Sequence, residues 1–127
     1  MRLLLDTFAV LLALRDPEQL RAEAREAVAD AANEVWFSPV NVWEVEIKVS
    51  IGKLAAPAAV DLAGALVALG AQELVVNAAH AREAGRLPLF HKDPFDRMLI
   101  AQALVEGLTL VTADEIFRRY SVDVLPA

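Results

Sequence analysis

The chain has 127 residues, of which 57% are hydrophobic and 24% charged, so its size and composition are those of a folded globular domain. It contains no cysteine, which excludes disulfide frameworks, thiolate catalysis and thiolate zinc sites. The net charge of −6 on its own argues against a nucleic-acid binder, because phosphate binding normally requires a basic surface. However, carboxylates that surround a bound Mg²⁺ also count as negative in that sum. Together with the cation, they form a site that attracts phosphate.

The sequence predicts a cytoplasmic protein with no membrane contact, because no apolar run approaches the ~20 residues that span a bilayer. The apolar stretch at residues 3–14 is interrupted by Asp6 and lacks the basic region and cleavage site of a secretory signal. No repeat, low-complexity tract or long linker is visible. We therefore expect one domain over residues 1–127.

Strand-like and helix-like segments alternate along the chain, which favours an α/β fold with a mainly parallel sheet. In the first half, proline after Asp16 and after Ser38 is typical of a helix start. The break around Gly52 and Pro57 separates this half from the next. The predicted elements are strands at 2–5 and 34–37, and helices at 7–14, from 16 to about 32, and from Ser38-Pro39 onward.

The second half continues the same alternation. Asp93-Pro94 is typical of a helix start, and Gly107 is a good left-handed helix stop. The predicted elements are helices at 58–69 (closed by Gly70), 78–86, from 93 to 107 and 115–120, strands at 73–76, 108–111 and 122–125, and a loop at 87–92.

Four acids differ from an ordinary charged surface in their positions. Asp6 directly follows an apolar strand, and Asp114 lies just beyond the strand at 108–111. The carboxyl ends of parallel strands are where such sheets bind ligands. Glu44 lies in a mostly apolar helix, and Asp96 lies in a first helical turn, where the helix dipole favours an anion.

Each acid also has a purely structural interpretation. Asp6 and Asp114 also fit caps of the helices that follow them, and Asp93 fits a cap better than a ligand. Glu44 also fits a surface acid, and Asp96 also fits a residue that only complements the dipole. Together, however, the four can reach one sheet edge, where clustered carboxylates repel each other unless a cation is present. Oxygen ligands without cysteine or a histidine pair suit Mg²⁺ or Mn²⁺ rather than zinc.

Four segments carry a family resemblance: Leu3-Leu4-Leu5-Asp6-Thr7; Val42-Trp43-Glu44-Val45-Glu46-Ile47-Lys48 with Gly52-Lys53-Leu54; His91-Lys92-Asp93-Pro94-Phe95-Asp96-Arg97-Met98-Leu99-Ile100-Ala101-Gln102-Ala103; and Gly107-Leu108-Thr109-Leu110-Val111-Thr112-Ala113-Asp114. They closely resemble the PIN domain, and in particular the VapC-type toxins of bacterial and archaeal toxin–antitoxin pairs. The resemblance runs along essentially the whole chain, although residues 55–84 match only in general character. It implies a three-layer α/β/α domain with a mainly parallel sheet of four to five strands.

The resemblance also implies which residues form the site. It places the metal-binding acids on Asp6, Glu44, Asp96 and Asp114. Alignment through Gly107 selects Asp96 rather than Asp93 as the third acid. The implied supporting residues are Thr7, Asp93 and Thr112, and the departures from the pattern are Phe8 where histidine is common and Asn41 where serine is common.

The activity that the resemblance implies is that of a Mg²⁺-dependent endoribonuclease toxin, with Mn²⁺ as the alternative ion. The substrate would be tRNA or rRNA, cut to leave 5′-phosphate and 3′-hydroxyl ends. A VapB-like antitoxin would block the cleft by inserting a basic side chain, and a homodimer is expected. Candidate contacts are Lys48, Lys53, Lys92 and Arg97 for RNA, and Trp43, Val49 and Leu54 for the antitoxin, although core packing explains the last three equally well.

Two other functions compete with this one. A catalytically inactive PIN-like module would bind a protein partner or RNA, but such modules tend to lose some of the acids that this chain has. A phosphotransfer domain would use Asp6 as a nucleophile, and the match around Asp96 gives no reason to expect that. The two histidines, His80 and His91, lack the spacing of a metal pair, and we expect His91 in a solvated loop.

Overall fold

The computed structural model describes residues 1–56 and 61–127 and confirms the predicted alternation of strands and helices. The strands are β1 (Arg2–Leu5), β2 (Glu34–Phe37), β3 (Gln72–Glu73), β4 (Thr109–Thr112) and β5 (Val124–Pro126). The α-helices are α1 (Thr7–Arg15), α2 (Ala22–Ala29), α3 (Pro39–Ser50), α4 (Leu62–Ala68), α5 (Ala78–Arg86) and α6 (Pro94–Glu106), and short 3₁₀ helices cover Pro17–Gln19 and Glu115–Arg119.

The five strands form one sheet in the order β3-β2-β1-β4-β5, and every pairing is parallel. β1 is central, with β2 on one side and β4 on the other. The chain therefore leaves β1 in one direction and returns on its opposite side, which opens a crevice at the carboxyl end of β1. The predicted α/β class is confirmed.

Both faces of the sheet are buried, as the apolar run of β1 predicts for a central parallel strand. Leu3 and Leu5 belong to one core cluster, and Leu4 belongs to the other. Because side chains alternate along a strand, these clusters lie on opposite faces. Ala9 and Val10 of α1 pack in the first, and residues of α6 pack in the second. The result is three layers, with the sheet between helices.

The single helix predicted from 16 to about 32 is wrong. Pro17–Gln19 forms a 3₁₀ helix, and α2 begins only at Ala22. Between them, the backbone of Leu20 is extended (φ −67°, ψ 147°) and its side chain is only 4% exposed. Burying a leucine stabilises a fold by about 2 kcal/mol, which outweighs the loss of one surface helical turn.

The predicted strand at 73–76 is shorter and lies earlier, because its partner strand ends. β3 pairs Gln72 with Trp36 and Glu73 with Phe37. One further bond follows, from Leu74 N to Phe37 O at 2.8 Å. Ser38 then caps α3, so β2 offers no backbone partner to the residues after Leu74.

The last two strands also lie later than predicted. β4 covers Thr109–Thr112 rather than 108–111, and β5 covers Val124–Pro126 rather than 122–125. The two shifts are coupled, because Thr112 pairs with Pro126 and thereby extends both strands. Proline is tolerated there since β5 is an edge strand.

The helix predicted at 58–69 is only partly testable, because residues 57–60 lie outside the described residues. In the described part, α4 covers Leu62–Ala68, and the Asp61 side chain accepts a hydrogen bond from Gly64 N. The chain then leaves the helix through Gly70 at φ +96°. Within residues 1–56 and 61–127, no helix has the length and apolar character needed to cross a membrane.

Candidate metal centre

Two of the four acids follow adjacent strands. Leu5 of β1 pairs with Val111 of β4, and Asp6 N donates to Val111 O at 3.1 Å. Asp6 thus lies at the point where β1 ends, and Asp114 follows β4 by two residues. The sheet register therefore brings both carboxylates to the same edge, as their sequence positions predict.

The other two acids come from helices that pack beside this edge. Glu44 lies on α3 and Asp96 in the first turn of α6. A cleft of about 500 Å³ separates these elements. Its lining contains all four predicted acids, and consists of Asp6, Thr7, Phe8, Leu11, Glu44, Lys48, Leu54, Asp96, Ala113 and Asp114.

Asp6 and Asp114 both cap helices while lining the cleft. Asp6 Oδ1 accepts from Ala9 N at 2.8 Å, and Asp114 Oδ1 accepts from Ile116 N at 2.9 Å. Each cap uses only Oδ1, so capping leaves the second oxygen of each carboxylate for other contacts, as in the 3.2 Å approach of His91 Nε2 to Asp114 Oδ2. The structural and the functional interpretations of these acids are therefore compatible.

Asp93 acts as the cap of α6, as predicted. Its Oδ1 accepts from Phe95 N at 2.8 Å and from Asp96 N at 3.1 Å, and it is not among the residues that line the cleft. The nearby charge of Asp93 nevertheless contributes to raising the pKa of Asp96. Its position fits a supporting role.

Burial makes the negative charges of the cluster costly. Desolvation is the main cause that raises the pKa of Asp96 to about 8, followed by repulsion from Asp93, Glu44, Asp6 and Asp114. Desolvation likewise raises the pKa of Asp6 to about 6, although hydrogen bonds from Thr112 and Ala9 N oppose it. Without a cation, the site therefore favours protonated acids over charged ones.

Glu44 carries an oxygen without a partner. The side chain is buried, and its Oε2 accepts from Lys48 Nζ at 2.8 Å. In the part of the chain that the structure describes, Glu44 Oε1 has no hydrogen-bond partner. Buried carboxylate oxygens are rarely left without a hydrogen-bond partner, since this destabilises the folded state by about 1–3 kcal/mol. An all-oxygen donor set with this unmatched oxygen fits a hard divalent cation such as Mg²⁺.

Thr7 and Thr112 form hydrogen bonds close to the acids. Thr112 Oγ1 accepts from Asp114 N at 3.1 Å, and its side chain also bonds to Asp6. Thr7 Oγ1 accepts from Asn41 Nδ2 at 3.1 Å. Both threonines thus contact the elements that carry the acids.

Asn41 has a structural role that the sequence analysis missed. Its Oδ1 accepts from Ser38 N at 2.8 Å to complete the capping box of α3, and its Nδ2 also donates to Leu5 O at 3.3 Å. It therefore joins the start of α3 to the end of β1. The signal was the spacing of Ser38 and Asn41, which resembles a capping box with an amide at its third helical position.

The prediction that His91 lies in a solvated loop is wrong, because the side chain of His91 is only 12% exposed. Its Nε2 lies 2.9 Å from Asp96 Oδ2 and 3.2 Å from Asp114 Oδ2. These three residues are close enough together to hold a metal ion. Only its place two residues before the α6 cap could have indicated this.

Two of the predicted RNA-binding cations are already engaged. The Arg97 guanidinium donates to the backbone carbonyls of Ala84, Leu87, Pro88 and His91, at 2.8–3.1 Å. This disagrees with a role for Arg97 in holding RNA. Lys48 pairs with Glu44 inside the cleft, and this hydrogen bond is the main cause that raises the Lys48 pKa. Lys53 and Lys92 are exposed.

The predicted partner-binding residues differ in exposure. Trp43 is 62% exposed and packs edge-on against Phe95, with ring centroids 5.0 Å apart. Val49 and Leu54 instead pack against the core cluster that contains Leu3. Core packing thus accounts for Val49 and Leu54, whereas Trp43 presents apolar surface to solvent.

Comparison with protein-family models matches residues 3–123 to the PIN domain. The chain belongs to the PIN-domain family. Proteins of this family are typically nucleases. A comparison with curated protein sequences gives no match.

Several solved structures share this PIN fold. VapBC from Salmonella typhimurium, bound to DNA, is 16% identical with a TM-score of 0.72, over 98% of this chain and 97% of that one. VapBC2 from Rickettsia felis, bound to promoter DNA, is 19% identical with a TM-score of 0.69, over 98% of each chain. VapBC-5 from Mycobacterium tuberculosis is 20% identical with a TM-score of 0.64, over 99% of this chain and 98% of that one. At these identities, the likeness shows the fold alone.

Proposed function

We propose that this PIN domain, spanning residues 1–127, is a Mg²⁺-dependent endoribonuclease and the toxin of a toxin–antitoxin pair. The observation that carries the proposal is the convergence of Asp6, Glu44, Asp96 and Asp114 on one cleft. The unmatched Oε1 of Glu44, found among the described residues, supports a cation there. Mn²⁺ would suit the same oxygen donors.

The acids divide into two roles in this proposal. Asp6 and Asp96 are the principal direct ligands. Burial raises the pKa values of both, and a bound cation lowers the free-energy cost of a negative charge most where that charge is least solvated. Asp114 and Glu44 bind through water or position the attacking water. A bound Mg²⁺ would activate water for in-line attack and offset charge on the phosphate.

The other residues of the site maintain this arrangement. The two caps hold Asp6 and Asp114 by one oxygen each, so that neither carboxylate can rotate freely. Lys48 holds Glu44 Oε2 in place by pairing with it at 2.8 Å. Water attack under metal control needs no pair of catalytic histidines, and in the part of the chain that the structure describes only one histidine, His91, contacts the site acids.

The proposed partner is a cognate VapB-like antitoxin, since the solved relatives are VapBC complexes. Phe8, Leu11 and Leu54 line the cleft beside the acids. This combination suits a peptide that inserts a basic side chain and flanks it with apolar ones. A homodimer is also proposed. Trp43 and Phe95 belong to an apolar depression of about 360 Å³ that is available to a second copy.

The decisive test is cleavage of purified tRNA and rRNA with Mg²⁺ or with EDTA. Wild type should cleave only with Mg²⁺ and should leave 5′-phosphate ends. Asp6→Asn and Asp96→Asn should abolish cleavage, whereas the exposed control Asp123→Asn should retain it. Cleavage in EDTA, or cleavage that survives both active-site substitutions, would contradict the metal mechanism.

The same assay separates the nuclease from an inactive binding module. Such a module would cleave no RNA under any condition yet would bind its partner protein tightly. Titration of the purified protein with the antitoxin, followed by calorimetry, provides that second measurement. A nuclease should instead lose its cleavage activity as the antitoxin reaches one equivalent.

A further inference from the structure

His91 reaches the metal centre from the loop between α5 and α6. Its Nε2 lies 2.9 Å from Asp96 Oδ2, and it forms a hydrogen bond of 3.2 Å with Asp114 Oδ2. The two carboxylates come from different segments, one from α6 and one from the turn after β4. A single ring nitrogen therefore contacts carboxylates from both halves of the cluster.

The surroundings of the ring determine which nitrogen carries the proton. His91 Nδ1 accepts a hydrogen bond from Asp93 N at 3.3 Å. In a neutral imidazole, one nitrogen accepts and the other donates, so Nε2 is the donor. The ring also packs edge-on against Phe117, with centroids 5.6 Å apart. Both contacts fix the plane of the ring.

This orientation argues against direct metal ligation by His91. A metal-bound histidine usually donates its other ring N–H to a carboxylate, carbonyl or water. Here the other nitrogen faces the N–H of Asp93, which is itself a donor. Ligation through Nε2 would place two donors against each other. The geometry suits a hydrogen-bond donor to the ligands better than a ligand.

The loop that presents His91 is held by two further side chains. Tyr120 Oη accepts from His91 N at 2.7 Å and donates to Pro88 O at 2.6 Å. The Arg97 guanidinium donates to four carbonyls of the same region, including that of His91. Arg97 follows Asp96 directly on α6. The helix that supplies a carboxylate thus also fixes the loop that contacts it.

We propose that His91 is a positioning residue for the metal centre, and this rests on the proposed function. The His91 Nε2–H group donates to Asp114 and lies against Asp96, so that it fixes the separation of the two carboxylates, with Arg97 and Tyr120 fixing the loop. Without this contact the Asp96 carboxylate would be less firmly placed relative to Asp114, and a cation would have to order the pair on binding. Preorganisation of this kind increases affinity because less ordering is left to binding.

The first test measures Mg²⁺ binding by calorimetry without RNA. His91→Phe keeps a ring but removes the donor, and should weaken Mg²⁺ binding by about 10–100-fold, the usual effect of losing such a partner. His91→Gln restores an N–H near the Nε2 position and should recover most of the affinity. His80→Gln is the control, because His80 is also a histidine with little exposure but bonds to Glu106 at the other end of α6.

The second test needs no substitution at His91. With ¹⁵N-labelled wild-type protein, ring-nitrogen spectra should show a protonated Nε2 and an unprotonated Nδ1, with His80→Gln assigning the two histidines. Saturating Mg²⁺ should leave the protonated Nε2 in place. A proton on Nδ1, or loss of the Nε2 proton on adding Mg²⁺, would overturn the proposal. This holds even if His91→Phe fails to fold.

The outcomes separate this inference from the proposed function. With RNA, His91→Phe should lower kcat at limiting Mg²⁺, leave the KM for RNA unchanged, and recover in excess Mg²⁺. Equal Mg²⁺ affinity in folded His91→Phe and wild type, or equal damage in His91→Gln, would refute the positioning role alone. Mg²⁺ binding that depends on His91 in a protein that cleaves no RNA would refute the nuclease alone.

Discussion

Replacing Asp96 by asparagine should stabilise the metal-free protein at alkaline pH. The carboxylate of Asp96 lies among Asp93, Glu44, Asp6 and Asp114, and burial together with their repulsion raises its pKa to about 8. Keeping it ionised in the folded state therefore costs free energy that the unfolded chain does not pay. Asparagine removes the charge while occupying nearly the same volume.

The sign and size follow from linkage. Because the folded pKa is raised, the folded state binds more protons than the unfolded state between about pH 4 and pH 8. The cost is absent below about pH 4 and complete above about pH 8. At about 1.4 kcal/mol per pKa unit, the full difference would be about 6 kcal/mol. Since the side chain is 20% exposed, solvent screening reduces this to on the order of 2–3 kcal/mol.

Urea unfolding in EDTA at pH 5, 6.5 and 8 measures this directly. The free energy of unfolding of Asp96→Asn should exceed that of wild type by an amount that increases with pH. The exposed control Asp123→Asn should show no such difference. Added Mg²⁺ should then cancel most or all of the advantage of Asp96→Asn, because a ligand stabilises the state that binds it, by about 2.7 kcal/mol at 100 times its Kd. A pH-independent difference, or a less stable Asp96→Asn at pH 8 in EDTA, would refute the reasoning.

Three further substitutions test other parts of the structure, each by urea unfolding. Asn41→Ala removes a buried amide with three hydrogen bonds and should cost about 2–3 kcal/mol, whereas a loss below 0.5 kcal/mol would show that these bonds contribute little. Lys48→Met should destabilise the metal-free protein by only about 0.5–1 kcal/mol, since Lys48 is half-exposed, and excess Mg²⁺ should remove the difference. Leu4→Ala, at a fully buried position, should cost about 2–5 kcal/mol with and without Mg²⁺.

The strongest predictions from sequence concerned residues whose environment is local. Leu3, Leu4 and Leu5 form a continuous apolar run, so the segment was predictable as a central strand, and Asp6 and Thr7 follow it at a helix start. Asp93-Pro94 and Gly107 likewise carry the conformational preferences that begin and end α6. Because strand ends and helix caps fixed these positions, the location of the four acids could be predicted before the sheet order was known.

The features that escaped prediction depend on contacts distant in sequence. β3 is short because β2 ends at Phe37, which nothing in the sequence near β3 indicates. His91 contacts Asp114, 23 residues away, and its loop depends on Tyr120, 29 residues away. A histidine in a proline-containing loop has no local pattern that distinguishes a buried donor from a solvated side chain. Only the tertiary structure makes that distinction.

The double use of Asp6 and Asp114 determines which substitution can test their function. Each uses Oδ1 to cap a helix and contributes to the cleft with the rest of the carboxylate. Alanine would remove both functions, and loss of a cap alone costs about 1 kcal/mol, so reduced activity could reflect reduced stability. Asparagine keeps an oxygen for the cap and removes the charge. Asp6→Asn should therefore retain the wild-type unfolding free energy or exceed it in EDTA while losing Mg²⁺ affinity, a combination that a merely structural aspartate cannot produce.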